Sequence, residues 1–126
     1  MEFNFKEGLV GNKEIVVTPN DTASKYGSGL IEVFATPAMI GLMEGTAQES
    51  IQKYLPEGYI TLGIEVNIKH LKATQVGMKV KCESKLINVD GKKLTFEVNA
   101  FDEKGQIGTG MHIRYIVETE KFMAKL

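Results

Sequence analysis

The stretch FATPAMIGLMEGTAQES, residues 34–50, decides how the rest of the chain is read. Thr36 followed at once by Pro37 marks a helix start. Threonine suits the N-cap, and proline suits the first helical position, where no N–H is needed. Helical periodicity runs on to about Tyr54, and Pro56 and Gly58 mark the exit. At about 100° per residue, Ile40, Met43, Ala47 and Ile51 form an apolar arc, and Glu44 falls within it. A carboxylate buried there without a partner would cost several kcal/mol or revert to its neutral form. Glu44 therefore ends the arc and reaches water, or caps a sheet edge, or is held in a cleft to orient an imidazole, a hydroxyl or a water.

Around this helix the pattern is that of strands. KEIVVT at 13–18 reads as a short strand, and PNDTASKYGSG after it as a loop of turn formers ending near Gly29. In YITLGIEVNIKHL, 59–71, Leu62, Ile64, Val66 and Ile68 alternate with polar residues or glycine, and His70 continues their phase at the strand end. Gly63 interrupts that strand, which marks a bulge or a close backbone approach. Residues 78–89 put Met78, Val80, Cys82, Ser84 and Leu86 on one face, and Asp90-Gly91 is a hairpin turn. Leu94, Phe96, Val98 and Ala100 alternate next. The last strand, about 106–118, places Ile107, Thr109, Met111, Ile113, Tyr115 and Val117 in one phase. His112 and Arg114 take the opposite phase and read as surface or interface residues, although Arg114, the only arginine, could steady an anion.

The architecture expected is α+β: an antiparallel sheet wrapped around one long central helix, as a single domain over 1–126. One helix covers little of a wide sheet, and exposed edges invite pairing, so association with a second copy is the structural expectation.

Composition narrows the function. With 126 residues, 43% hydrophobic and 25% charged, the chain is a soluble globular protein with one core. Fifteen basic against 16 acidic residues, interleaved, argue against a nucleic-acid partner. The N-terminal MEFNFKEGLVG lacks a leader pattern and no apolar run is long enough to span a membrane, so a cytoplasmic protein is expected. One cysteine, Cys82, and two histidines without a ligand motif leave no protein-built metal site, and Cys82 reads as a small buried hydrophobe. There is no GxSxG elbow, and GSG at 27–29 lacks the strand and helix that a phosphate fingerprint needs.

The remaining candidates are Thr36, Glu44 and His70. Thr36 is a simple cap or a hydroxyl beside orphan N–H groups; His70 is a half-buried histidine or a base. Eight residues of helix separate Thr36 from Glu44 by roughly 12 Å along the axis, so any site joining them is a groove.

VFATPAMIGLMEGTAQES (33–50), TLGIEVNIKHLKATQVGMKV (61–80), GKKLTFEVNAFDEKGQIGTGMH (91–112) and EKFMAK (120–125) together resemble the hot-dog-fold thioesterases related to fluoroacetyl-CoA thioesterase. The resemblance covers nearly all of 31–126. It implies a homodimer or dimer of dimers with acyl-CoA in a cleft at the subunit interface, and hydrolysis of the thioester to a carboxylate and free coenzyme A. No metal or redox cofactor is implied, coenzyme A being part of the substrate. The family's catalytic threonine, glutamate and histidine fall on Thr36, Glu44 and His70, and substrate contacts on Leu30, Phe34, Gly63 and Arg114. Gly27 and Leu30 stand where the fluoroacetyl-specific enzyme has lid phenylalanines, so the resemblance extends to thioester hydrolysis and stops short of fluoroacetyl selectivity. The rival readings are a hot-dog module that binds acyl-CoA or a nucleotide without turnover, and a hot-dog lyase or dehydratase.

Overall fold

The computed structural model describes Phe3 and residues 5–126; Met1, Glu2 and Asn4 of the N-terminal segment read for a leader lie outside the described residues. Five antiparallel strands form one sheet: β1 (Val10–Val16), β2 (Tyr59–His70), β3 (Lys79–Asp90), β4 (Lys93–Asp102) and β5 (Gly105–Glu118). Their order is β1-β3-β4-β5-β2, so β1 and β2 are the outer strands. The loop after β1 contains a 3-10 turn and a short helix, α1 (Ala23–Tyr26), and the long helix α2 (Thr36–Gln52) precedes β2. A last helix, α3 (Thr119–Ala124), follows β5 without having been expected, and β1 begins three residues earlier than KEIVVT suggested.

Alternation explains β3 and β4 directly. Val80, Cys82, Ser84 and Leu86 on β3, and Leu94, Phe96, Val98 and Ala100 on β4, are all buried. Helix α2 lies over them and contributes Met39, Leu42, Met43, Ala47 and Ile51 to the same core. Burying such side chains contributes about 1.5–3 kcal/mol each before entropy is counted. Gly108 on β5 lets the helix come this close, because a Cβ there would lie 2.5 Å from Met39 Sδ.

The phases of β2 and β5 differ from the simple reading. A bulge between Gly63 and Glu65 inserts one residue, so the inward set changes from Thr61 and Gly63 to Val66, Ile68 and His70. Leu62 and Ile64 thereby fall out of the inward set, and Ile64 is exposed. Opposite them, β5 turns Gly108, Gly110, His112, Arg114 and Ile116 inward in register with His70, Ile68, Val66, Gly63 and Thr61. Met111 and Tyr115 face outward. His112 and Arg114, expected at the surface or an interface, are 0% and 6% exposed and lie inside the single chain.

Candidate active site

Two groups of polar residues lie along the seam between α2 and β2. The first is at the start of α2. Thr36 occupies the first helical turn, not the N-cap, and the N-cap residue Ala35 makes no side-chain cap. The Thr36 hydroxyl is thus free of backbone duty and lies 2.8 Å from His70 Nδ1. Both ends of this contact are anchored. Phe34 N donates to Thr74 O at 2.9 Å, Ala35 N to Asp21 O at 2.8 Å, and Leu71 N, just after His70, to Ile107 O at 2.7 Å. Thr74 in turn donates to Asp102 Oδ2 at 2.9 Å, tying the loop after β2 to the β4–β5 turn.

Thr36 and His70 line a cleft of about 350 Å³ whose walls include Val33, Phe34 and Leu71, with Lys72 also on it. That size suits a small-molecule site, and its lining mixes polar with apolar side chains. His70 Nε2 is buried and, among the described residues, has no hydrogen-bond partner. Burial lowers the His70 pKa below its ordinary 6.5, with the Lys72 backbone acting the other way, so the ring is neutral and able to accept a proton at neutral pH. Helix α2 also begins here, and its unpaired N–H groups favour developing negative charge.

The second group surrounds Glu44. The residue is half-buried on the flank of the helix's apolar arc, and the arc itself centres on Met39, Met43 and Ala47. Its carboxylate turns toward Gly63: a Cβ on Gly63 would lie 2.6 Å from Glu44 Oε2, 3.1 Å from His112 Cε1 and 3.3 Å from Arg114 Nη1. Arg114 donates from Nε to Thr61 Oγ1 at 2.7 Å, from Nη2 to Thr61 O at 2.9 Å, and from Nη1 to His112 Nε2 at 3.1 Å. His112 Nδ1 donates to Glu65 O at 2.9 Å. Burial holds the His112 pKa below 6.5; the Glu65 carbonyl opposes this, Arg114 adds to it, and Glu44 opposes it. Burial likewise lowers the Arg114 pKa, against the pull of Glu44.

One chain therefore joins Thr36 to His70 and places Glu44 with Gly63 and Arg114. Phe34 is a core residue that also forms a wall of the cleft. Leu30, expected to contact substrate, is 98% exposed and is not among the cleft residues of the single chain. Thr61 and His112 were missed as site residues. Gly108 and Gly110 were the available signal, since glycines sharing a phase with His112 mark the face that a helix or a strand approaches closely.

A family model described as fluoroacetyl-CoA-specific thioesterase matches residues 17–120. The fluoroacetyl-CoA thioesterase of Streptantibioticus cattleyicolor is 39% identical over 131 residues, covering 96% of this chain and 94% of that protein. The crystal structure of a variant fluoroacetyl-CoA-specific thioesterase with fluoroacetate and CoA superposes with a TM-score of 0.89 at 33% identity, covering 94% of this chain and 99% of that one. A thioesterase superfamily member from Thermus thermophilus gives a TM-score of 0.88 at 30% identity, over 95% and 89% of the two chains. The hot-dog architecture, the matched span and the identity agree, and the chain belongs to the fluoroacetyl-CoA-specific thioesterase family.

Proposed function

We propose that the protein hydrolyses the thioester of a small acyl-CoA, releasing a carboxylate and free coenzyme A. The observation that carries this reading is the 2.8 Å contact between Thr36 Oγ1 and a neutral His70 in a cleft of mixed polar and apolar lining. Water supplies the oxygen of the carboxylate, the C–S bond breaks, and the thiolate of coenzyme A takes up a proton. His70 accepts the proton from the attacking group and returns it to sulfur; Thr36 holds the reacting group. Glu44 activates water or attacks the carbonyl carbon itself, and both routes end in the same products. The first turn of α2 stabilises the oxyanion. The reaction so written needs only water as co-reactant, and no cofactor is assigned.

The reading includes a homodimer, alone or as a dimer of dimers. Gly63, beside Glu44, and His70 are seven residues apart on β2, roughly 20 Å along an extended strand, so one copy holds its own groups apart. The β2 strand is an outer strand, with Ile64 and Val66 exposed. Antiparallel pairing of two β2 strands centred on Asn67, with Ile64 as the extra residue of the bulge, sets Gly63 of one copy opposite His70 of the partner subunit. Each cleft then takes Thr36 and His70 from one copy and Glu44 from the other. The partners assigned are acyl-CoA and a second copy, with no nucleic acid or membrane. Among the described residues no helix is long and apolar enough to cross a membrane. The compartment assigned is the cytoplasm, and the unit a single domain.

Thiol release across a panel of acyl-CoAs tests the reading. Short-chain esters are expected to be hydrolysed well above the buffer rate, whereas binding of CoA esters without thiol release would contradict it.

A further inference from the structure

Resting on the hydrolase reading, we propose that His112 is a positioning residue for the reaction, holding the Arg114 guanidinium so that it faces the Glu44 carboxylate across the space left open at Gly63. His112 is fully buried on the inner face of the sheet, opposite Val66 on β2 and beside the Phe96 ring at 6.4 Å. Its two ring nitrogens meet partners of opposite kind. The Glu65 carbonyl, 2.9 Å from Nδ1, can only accept; the Arg114 guanidinium, 3.1 Å from Nε2, can only donate. Both contacts are satisfied together only by the neutral ring with its hydrogen on Nδ1.

That single tautomer fixes the guanidinium at a third point, the other two being Thr61 Oγ1 and Thr61 O. Three of the five N–H groups are used, Nη1 and Nη2 keep one each, and Nη1 is the nitrogen that borders the space at Gly63 into which Glu44 reaches. Gly63 shows that this facing arrangement, not the backbone, shapes the site. Its φ is not in the left-handed region, so its backbone would accept a side chain; the atom a Cβ would meet first is Glu44 Oε2, at 2.6 Å. The bulge between Gly63 and Glu65 interrupts the ladder where the Glu65 carbonyl takes the imidazole N–H. The bulge, the imidazole and the guanidinium thus form one chain of hydrogen bonds, and its end faces, across Gly63, a carboxylate assigned to the reaction. A carboxylate that must act on a thioester gains from such fixing, since small misplacements are costly in rate.

The test is a double-mutant cycle in thiol release with a short-chain acyl-CoA. H112N keeps a donor for the Glu65 carbonyl and removes the acceptor for Arg114, whereas H112Q places an amide oxygen near the position of Nε2. The expected result is a kcat about tenfold lower in H112N, KM within about twofold, and most of the rate recovered in H112Q. In an R114K background, which lacks the fork, H112N should have little further effect. Equal losses from H112N in both backgrounds, or a loss confined to KM, would overturn the assignment while leaving the hydrolase reading in place. A wild-type protein without thiol release would overturn both. Side-chain 15N NMR of the wild-type protein decides the matter if a variant does not fold: neutral Nδ1–H His112 at pH 7 supports the proposal, and an imidazolium or the Nε2–H form overturns it.

Discussion

The Thr36–His70 end of the seam and the Glu44–Arg114 middle are built on opposite principles. At the end, an exposed hydroxyl meets a half-buried imidazole in an open cleft, and backbone hydrogen bonds of neighbouring residues fix them in place. In the middle, a buried guanidinium is held by side chains and carbonyls of β2 and β5, and a half-buried carboxylate faces it across a missing Cβ. The end can lose its polar groups at little cost in stability; losing Arg114 from the middle costs more, because it leaves other groups buried and unpaired.

The comparison is broken most directly by E44Q and H70A. Each is expected to lower kcat for a short-chain acyl-CoA by about 10³-fold, with secondary structure intact by circular dichroism. A variant that keeps most of its rate removes that residue from the site. The contrast in stability comes next. R114M should destabilise the fold by about 2–3 kcal/mol in urea titration, because Thr61 and His112 lose their donor. T36V should change stability by less than about 1 kcal/mol, since Thr36 is not the helix cap, yet slow turnover by about 10²-fold. Equal destabilisation by the two would erase the distinction.

Smaller changes sharpen it. G63A should lower kcat by about tenfold at modest cost in stability, because its Cβ meets the movable end of Glu44 and displaces it; an unchanged kcat would show that this placement of Glu44 is without consequence. The smallest effect is in pH. His70 and His112 both have folded pKa values below their ordinary 6.5. The unfolded chain therefore binds more protons below pH 6.5, and stability present above that pH is lost as pH falls toward the folded values. For the same reason the acid limb of kcat/KM should lie below pH 6.5, and a limb above it would contradict a neutral, buried His70.

The same division governs what was legible in the sequence. Thr36, Glu44 and His70 stood out because an X-Pro helix start, an apolar arc and a strand end are local patterns. The core strands β3 and β4 followed from alternation alone, and Cys82 is buried as its neighbours suggested. The Thr36 cap did not occur, since Ala35 takes the N-cap position and a histidine distant in sequence takes the hydroxyl. The middle was misread for a physical reason. A bulge shifts strand phase by one residue: on β2 it took Leu62 and Ile64 out of the core, and on β5 a second irregularity, at the buried Ile107, gave the inward face to His112 and Arg114. Apolar alternation cannot reveal an inward face built of glycine, histidine and arginine. Leu30, assigned to substrate by resemblance, lies out in solvent in the single chain.

The claim on which the account turns is that each cleft joins His70 of one copy to Glu44 of another. Mixing H70A with E44Q subunits tests it. If the groups come from different copies, each mixed dimer carries one intact cleft, and an equimolar mixture that exchanges freely regains about a quarter of the wild-type thiol-release rate. If the mixture stays as inactive as its two parents despite verified subunit exchange, the groups act within one chain and the composite site is wrong.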